Sequence, residues 1–482
     1  MQSLRCLAFA AVSVFAINAC ATSTAPAAAE GALYFGFTLI DPAQETRTEN
    51  AYILVRDGRI AAIGAGTPPT DIRVAESHNL SGRYATPGFI DAHAHITAGP
   101  HRIEMRDGAP LLTIESDDAI TRFAAHMALS SGVTTVRNPA SDPEASAAYD
   151  AMIAAGGVGP EALHAGSAIE PPPFGGSAFA YPRTAEEWDA EAARQAALGM
   201  TYFKLYQSLN EEELAAGVAA AHAHGLQAIA HLNAVSWSRA IELGIDGLEH
   251  ALPTSADLLE PGQREAYLTE LGPDSKFMYR WFQRTDFDGP LMQNLFAQIA
   301  SEDIALNLTL VVNELLYNID DLDRVYPDTT RAFTHPESLA AILTFLRGSA
   351  AGWSEADFNS ARETMPRVLE FARRLYESGA PMMIGTDSAG GTPFFAREME
   401  LHVEAGIPVW AVLRMATSDA ADIMGLGART GRIAVGYEAD IAFLSADPSA
   451  DVGAARNVYA VMSNGVFHRA EDLRAAARAG TP

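Results

Sequence analysis

Cysteine is almost absent: of 482 residues only Cys6 and Cys20 carry a thiol, and both lie near the start of the chain. The rest of the chain therefore has neither a disulfide framework nor a thiolate metal site. Basic residues are also scarce, 33 Lys and Arg against 60 Asp and Glu, for a formal net charge of −27. With no basic patch to offset it, that balance excludes a nucleic-acid partner. The acidity is spread along the chain, which fits solubility better than recognition of an acidic substrate. There is no internal repeat, and no apolar run beyond the leader is long enough to span a membrane. The length leaves room for a large α/β domain and one appendage.

The leader reads as an export signal. Leu7 to Ile17 is an apolar run of secretory length behind Arg5, so residues 1–20 are expected to direct export. Ile17-Asn18-Ala19-Cys20 resembles a bacterial lipobox with an atypical Asn18. Its use would leave Cys20 lipidated at the head of the flexible tether 21–31, rich in Ala and Pro. Cleavage near Ala29 would instead leave a soluble periplasmic protein. Either fate places the protein outside the cytoplasm of a Gram-negative bacterium, in the periplasm or anchored to the outer membrane.

What the chain does have is a series of ligand-type side chains at the ends of short apolar runs. Phe89-Ile90-Asp91-Ala92-His93-Ala94-His95 follows Pro87-Gly88 and has strand length. Residues i and i+2 of a strand share a face, so His93 and His95 can reach one cation from a single rigid element. Lys204 stands inside Tyr202-Phe203-Lys204-Leu205-Tyr206, after a helical stretch from Ala185 to Leu198. A buried lysine must be paired or neutral, and a neutral amine can take up carbon dioxide to become an anionic carbamate that bridges metals. His231 and His250 each end a short apolar run, after helical patterns at Glu211 to His224 and Ser236 to Leu243. Asp387 ends Met382-Met383-Ile384-Gly385-Thr386-Asp387. Ligand atoms at the ends of different strands suit the carboxyl-terminal face of a (β/α)₈ TIM barrel. Gly132 to Arg137, Ala162 to Ile169 and Ala305 to Val312 supply the second, third and seventh strands.

The two chain ends frame this barrel. Residues 32–86 carry short strands with a hairpin at Asp57-Gly58, and 425–470 repeat the pattern with a hairpin at Asn464-Gly465. Neither has enough strands for its own core, so the two are expected to pair as one small β-sandwich. The barrel would span 87–424, and 471–482 would form a tail.

These stretches, together with Gly132-Val133-Thr134-Thr135-Val136-Arg137, Leu248-Glu249-His250 and Thr430-Gly431-Arg432-Ile433-Ala434-Val435-Gly436, resemble the amidohydrolase superfamily in its binuclear, lysine-carbamate subtype. The likeness runs from about residue 32 to 468. It is nearest to the imidazolonepropionase-like and Xaa-Pro or Xaa-Arg dipeptidase branch, a flavour carried by Glu398 through His402-Val403-Glu404-Ala405-Gly406 to Ala416-Thr417. The resemblance implies that His93, His95 and Asp387 bind the more buried of two divalent metals and that His231 and His250 bind the more exposed one. Lys204, as N6-carboxylysine, would bridge both, as would a hydroxide that acts as nucleophile. Asp387 would serve as general base and then general acid. Nitrogen and oxygen ligands favour zinc, with manganese, cobalt or nickel as alternatives. Carbon dioxide is needed to form the carbamate.

The expected reaction is hydrolysis of the C–N amide bond of a dipeptide or an N-acyl amino acid, a small-molecule partner. A lactonase or phosphotriesterase on the same site is the alternative, and a mononuclear deaminase would leave Lys204 without a use. A non-catalytic surface lipoprotein is the alternative from another class. Membrane anchoring through the Cys20 lipid and a homo-oligomer stay open. Arg137, Tyr206, Asn233 and Arg397 follow strands closely and are candidates for holding a substrate carboxylate. Long insertions at about 253–303 and 313–355 have the size of functional loops. Their aromatics Phe277, Tyr279, Trp281, Phe282, Tyr317, Tyr326 and Trp353 would line a pocket or pack locally. His222 and His224 read as surface residues.

Overall fold

The computed structural model describes residues 31–480 apart from 71–73, 107–108 and 273–274. The leader with Cys6 and Cys20, and the tether up to residue 30, lie outside the described residues. The fold is mixed α/β. Its central feature is a series of parallel strands paired in sequence order, the pattern of a TIM-barrel-like domain: Phe89–Asp91, Val133–Asn138, Glu161–His164 with Ala168–Ile169, Tyr202–Leu205, Gln227–Ala230, Gly247–Glu249, Ala305–Asn307 and Met382–Met383. An isolated bridge from Ala165 to Tyr202 carries the order across the break in the third strand. The last strand returns to the first through Ala92 N–H to Ile384 O at 2.8 Å and Asp387 N–H to His93 O at 2.7 Å.

These strands are short apolar runs because both faces are covered, as parallel sheets require. Val136, Phe203, Ala228, Leu248, Leu306 and Ile384 are all fully buried. The helices between them begin on strong caps. Asn210 and Glu213 form a capping box at Glu211–Ala223, and Ser236 caps Trp237–Glu242, so the helix starts seen in the sequence are fixed by local hydrogen bonds. Two expected strands are shorter than their apolar pattern. Ala162 to Ile169 is interrupted, and Ala305 to Val312 stops at Asn307 because Thr309 turns left-handed (φ 42°) and Leu310–Tyr317 is helical.

The two chain ends meet in one eight-stranded sheet that branches at Gly31–Asp41, which pairs with three strands. The carboxyl-terminal strand Ile441–Leu444 lies antiparallel to Tyr84–Pro87, which pairs in turn with Gly31–Asp41. Tyr34, Phe37, Ile53, Phe443 and Met462 form its separate core. The chain passes from this sheet into the first barrel strand through Gly88, where a Cβ would stand 2.1 Å from the Thr134 hydroxyl. The segment expected as a tail is helical from Ala470 to Ala479. Its Leu473 packs on Leu129 and Val461, so apolar burial holds it down. Among the described residues no helix is long and apolar enough to cross a membrane.

Candidate metal centre

Strand ends bring His93, His250 and Asp387 together, each offering a ligand atom within 4.8 Å of the others. Asp387 Oδ1 lies 3.2 Å from His93 Nε2 and 3.0 Å from His95 Nε2. The His93 and His250 rings are 4.8 Å apart, and the His231 ring is 4.4 Å from His250. Both His250 (φ 66°) and Asp387 (φ 55°) sit in the left-handed region, a conformation that side chains other than glycine adopt rarely and that collects at functional sites.

One ring nitrogen of each of three histidines is held, and His250 Nδ1 also lies 4.0 Å from Asp387 Oδ2. His93 Nδ1–H donates to Glu249 at 2.6 Å, His95 Nδ1–H to the Ala140 carbonyl at 3.0 Å, and His250 Nδ1 meets the Thr309 hydroxyl at 2.8 Å. Such contacts fix the tautomer and aim the opposite nitrogen. Glu249 also accepts from Arg137 at 2.7 Å, and Arg137 Nε–H donates to the Ala92 carbonyl at 2.7 Å. Burial opposes ionisation of Glu249, yet the charges of Arg137, Lys204 and His93 outweigh it and hold the carboxyl far below its usual range. Asp387 is likewise held low, with burial outweighed by His93 and His95. Asp91 ties the first strand to the eighth by accepting from Thr386 N–H at 3.1 Å and its hydroxyl at 2.8 Å.

Among the six expected ligands, two buried side-chain atoms have no hydrogen-bond partner: Lys204 Nζ and His231 Nδ1. Orphaned polar atoms in a buried site are costly, and those of a lysine and a histidine are suited to a carboxylating group and a cation. Burial, opposed by Glu249, lowers the Lys204 amine to about 8. Burial and the Lys204 charge lower His231 to about 3, so its imidazole is neutral and able to ligate. The donor set therefore fits a divalent metal centre with all six expected residues at or beside it.

The four candidate substrate anchors fare differently. Arg137 is 1% exposed and fully engaged with Glu249 and Ala92, so it supports His93 and is not open to a carboxylate. Arg397 is claimed by Glu314 at 2.6 Å and Glu404 at 2.6 Å, which saturates its guanidinium. Tyr206 packs edge-on against His231, 4.9 Å between centroids, with Phe174 beside it. Burial and Asp387 keep its phenol protonated. Asn233 accepts from the Thr254 hydroxyl at 3.1 Å and lines a cavity of about 570 Å³ with Arg264, Tyr267, Leu268 and Phe277. Of the insertion aromatics, Phe277 lines that cavity. Trp281, Phe282, Tyr317 and Tyr326 are buried in packing, and Tyr279 stacks edge-on against Trp353 at 5.2 Å. His222 and His224 pair with Asp246 and Asp189, as surface histidines do.

Glu249 and Thr309 were not singled out by the sequence reading. A carboxylate and an arginine inside two apolar barrel strands are a signal in themselves, since buried charges occur in pairs. Thr309 left no such trace, because its role depends on a left-handed turn.

The profile of the Amidohydrolase family matches residues 84–279 and 323–467. A Xaa-Pro dipeptidase solved with methionine in its active site superposes with a TM-score of 0.65 at 19% identity, over 91% of this chain and 100% of the other. A bottromycin amidohydrolase gives 0.67 at 22%, over 93% and 90%. A prolidase-like protein from Bifidobacterium longum gives 0.63 at 21%, over 94% and 99%. These likenesses show the fold. The imidazolonepropionase of Streptococcus sanguinis (strain SK36) is 39% identical over 56 residues, 11% of this chain and 13% of that protein. With its family profile covering most of the described residues and its ligand-type side chains gathered at the strand ends, the chain belongs to the amidohydrolase family.

Proposed function

We propose that the protein is a metal-dependent hydrolase that cleaves the C–N amide bond of dipeptides or N-acyl amino acids. The observation that carries this reading is the pair of orphaned atoms, Lys204 Nζ and His231 Nδ1, beside the His93, His250 and Asp387 cluster. Lysine is rare in this chain, found only at 204 and 276, while arginine serves elsewhere as the cation. Arginine stays charged and cannot form a carbamate, so a buried lysine without a counter-ion hydrogen bond is a distinctive choice. In this reading His93, His95 and Asp387 hold one ion, His231 and His250 hold another, and carboxylated Lys204 joins them.

Two divalent ions, most suitably zinc, supply Lewis acidity and an acidified water when bound. The chain's own groups do the rest. Asp387, kept ionised beside His93 and His95, accepts a proton from the attacking water and returns it to the leaving nitrogen. Glu249, Ala140 and Thr309 keep three imidazoles in the tautomer that ligates. In this reading the Tyr206 phenol, kept protonated by burial and packed on His231, donates to a substrate oxygen. The cavity after the fifth and sixth strands suits the rest of the substrate. In this reading Leu268 and Phe277 accept an apolar side chain and Asn233 a polar group, while Arg264 is already paired with Asp257 at 3.4 Å. The export leader, the division into barrel and terminal sheet, and anchoring at Cys20 belong to the same proposal.

The test is elemental analysis of the purified protein with an amide-hydrolysis screen and carbon-13 NMR after labelled bicarbonate. About two metals per chain, chelator-sensitive turnover and one carbamate resonance lost in Lys204→Ala are expected. No metal after reloading with zinc and bicarbonate would overturn the reading.

A further inference from the structure

The helix Leu310–Tyr317 begins in an unusual way. Its N-cap residue, Thr309, is a side chain that ordinarily caps by accepting from the second or third amide of the helix. Here Thr309 has φ 42° and ψ 52° and makes no cap hydrogen bond. The cap comes from a distant residue. Glu398, on the helix Phe395–Glu404, accepts Leu310 N–H on Oε1 and Val311 N–H on Oε2, both at 2.8 Å. Glu398 is 0% exposed; burial, with Asp91 and Glu314 adding to it, pushes its carboxyl up to about 8, while the Leu310 and Val311 amides pull the other way. Arg397, the preceding residue, reaches the same helix through Glu314 at 2.6 and 3.0 Å. The two helices are thus tied at the buried end and at the rim.

Relieved of capping, the Thr309 hydroxyl turns to His250 Nδ1 at 2.8 Å. The strand below is fixed too, with His250 N–H on the Asn307 carbonyl at 2.6 Å and Ala251 N–H on that of Leu308 at 2.7 Å. A Thr309 hydroxyl that capped its own helix would leave Nδ1 without this partner, and the ring would be free to change tautomer or rotate.

We propose that Glu398 is a positioning residue for His250: by capping Leu310–Tyr317 in place of Thr309, it reserves the Thr309 hydroxyl for the imidazole and sets Nε2 as the ligand atom. Binding of the metal assigned to His231 and His250 then depends on a carboxyl group that hydrogen-bonds neither histidine. This rests on the metal reading above.

The test is a double-mutant cycle on metal affinity, measured by chelator competition on the full-length protein. Glu398→Gln and Thr309→Val should each weaken the second metal by about tenfold or more, the scale of losing a ligand's outer hydrogen bond, and leave the metal at His93 and His95 unchanged. The double variant should be no weaker than the worse single one, because the two act in series. Thr309→Ser, which keeps the hydroxyl, should retain wild-type affinity. An unchanged second metal in Glu398→Gln, or losses that multiply in the double variant, would overturn the inference. Should Glu398→Gln not fold, Glu398→Asp, with its carboxyl group withdrawn by one methylene, carries the same test. Nitrogen-15 NMR of the metal-free protein separates this inference from the metal reading. The His250 ring should carry its proton on Nδ1 in the wild type and lose that preference in Glu398→Gln and Thr309→Val. A wild-type ring protonated on Nε2 overturns the role of Glu398 whatever the metal content.

Discussion

His93 and Glu249 stand 156 residues apart in the chain and meet through a 2.6 Å hydrogen bond in the barrel interior. The same carboxylate takes the Arg137 guanidinium on its other oxygen. One buried group therefore neutralises a buried cation and orients an imidazole, and the two duties can be separated by mutation.

Glu249→Gln keeps the shape and removes the charge, leaving Arg137 without its carboxylate partner. Breaking a buried pair from one side costs about 3–5 kcal/mol, so urea unfolding should shift by that order. Metal affinity should fall about 10- to 100-fold as His93 loses its orienting acceptor. Adding Arg137→Met removes the stranded cation and should restore much of the stability while affinity stays low. Recovery of both together would mean that Glu249 acts through charge alone.

Lys204→Ala removes the one buried amine and should abolish most metal binding and turnover. Short carboxylic acids placed in the vacated space should restore part of both, since a carboxylate supplies the oxygens of the missing carbamate. Elemental analysis with and without added acid checks this. Full activity without additive would sink the binuclear centre.

Asp440 ties the carboxyl-terminal segment together by accepting from Asn464 N–H at 2.8 Å and the Thr430 hydroxyl at 2.9 Å. Burial pushes its carboxyl up to about 6 from 3.8, with Glu438 and Glu161 adding to the rise. A carboxyl raised by folding binds its proton more tightly in the native state, so its contribution is greatest below pH 4 and is lost as pH rises through 6. The loss is on the order of 3 kcal/mol. Asp440→Asn lacks this titration, so its stability relative to wild type should improve between pH 4 and 6 in urea unfolding series. Parallel curves for the two proteins would show that Asp440 is ionised throughout.

Gly385 lies two residues before Asp387, and a Cβ there would stand 2.1 Å from Asn307 Nδ2 and 2.6 Å from Oδ1. Asn307 is fully buried and has little room to yield. Gly385→Ala should cost about 1–3 kcal/mol of stability and displace Asp387 enough to lower turnover. Asn307→Ala in the same chain should recover part of the stability. A single variant as stable and active as wild type would show that the Asn307 amide swings aside.

Much of the site was legible in the chain because strand-end ligands obey a local rule. An apolar run followed directly by a histidine sets that side chain just past the strand end, as for His231 and His250, while Lys204 lies inside its strand and Asp387 four residues beyond Met383. The capped helices were legible for the same reason, since Asn210 with Glu213 and Ser236 act within one turn. Tertiary structure alone decided the partners. Arg137 and Arg397 follow strands as a substrate anchor would, yet carboxylates from elsewhere in the fold claim both. The end of the seventh strand at Asn307, against an apolar pattern that runs on to Val312, follows from the left-handed Thr309 and from a cap supplied by Glu398, some 88 residues on. Local pattern specifies which side chains reach the rim; which of them are free to act depends on long-range hydrogen bonds and charge pairing, which form only once the strands close around them.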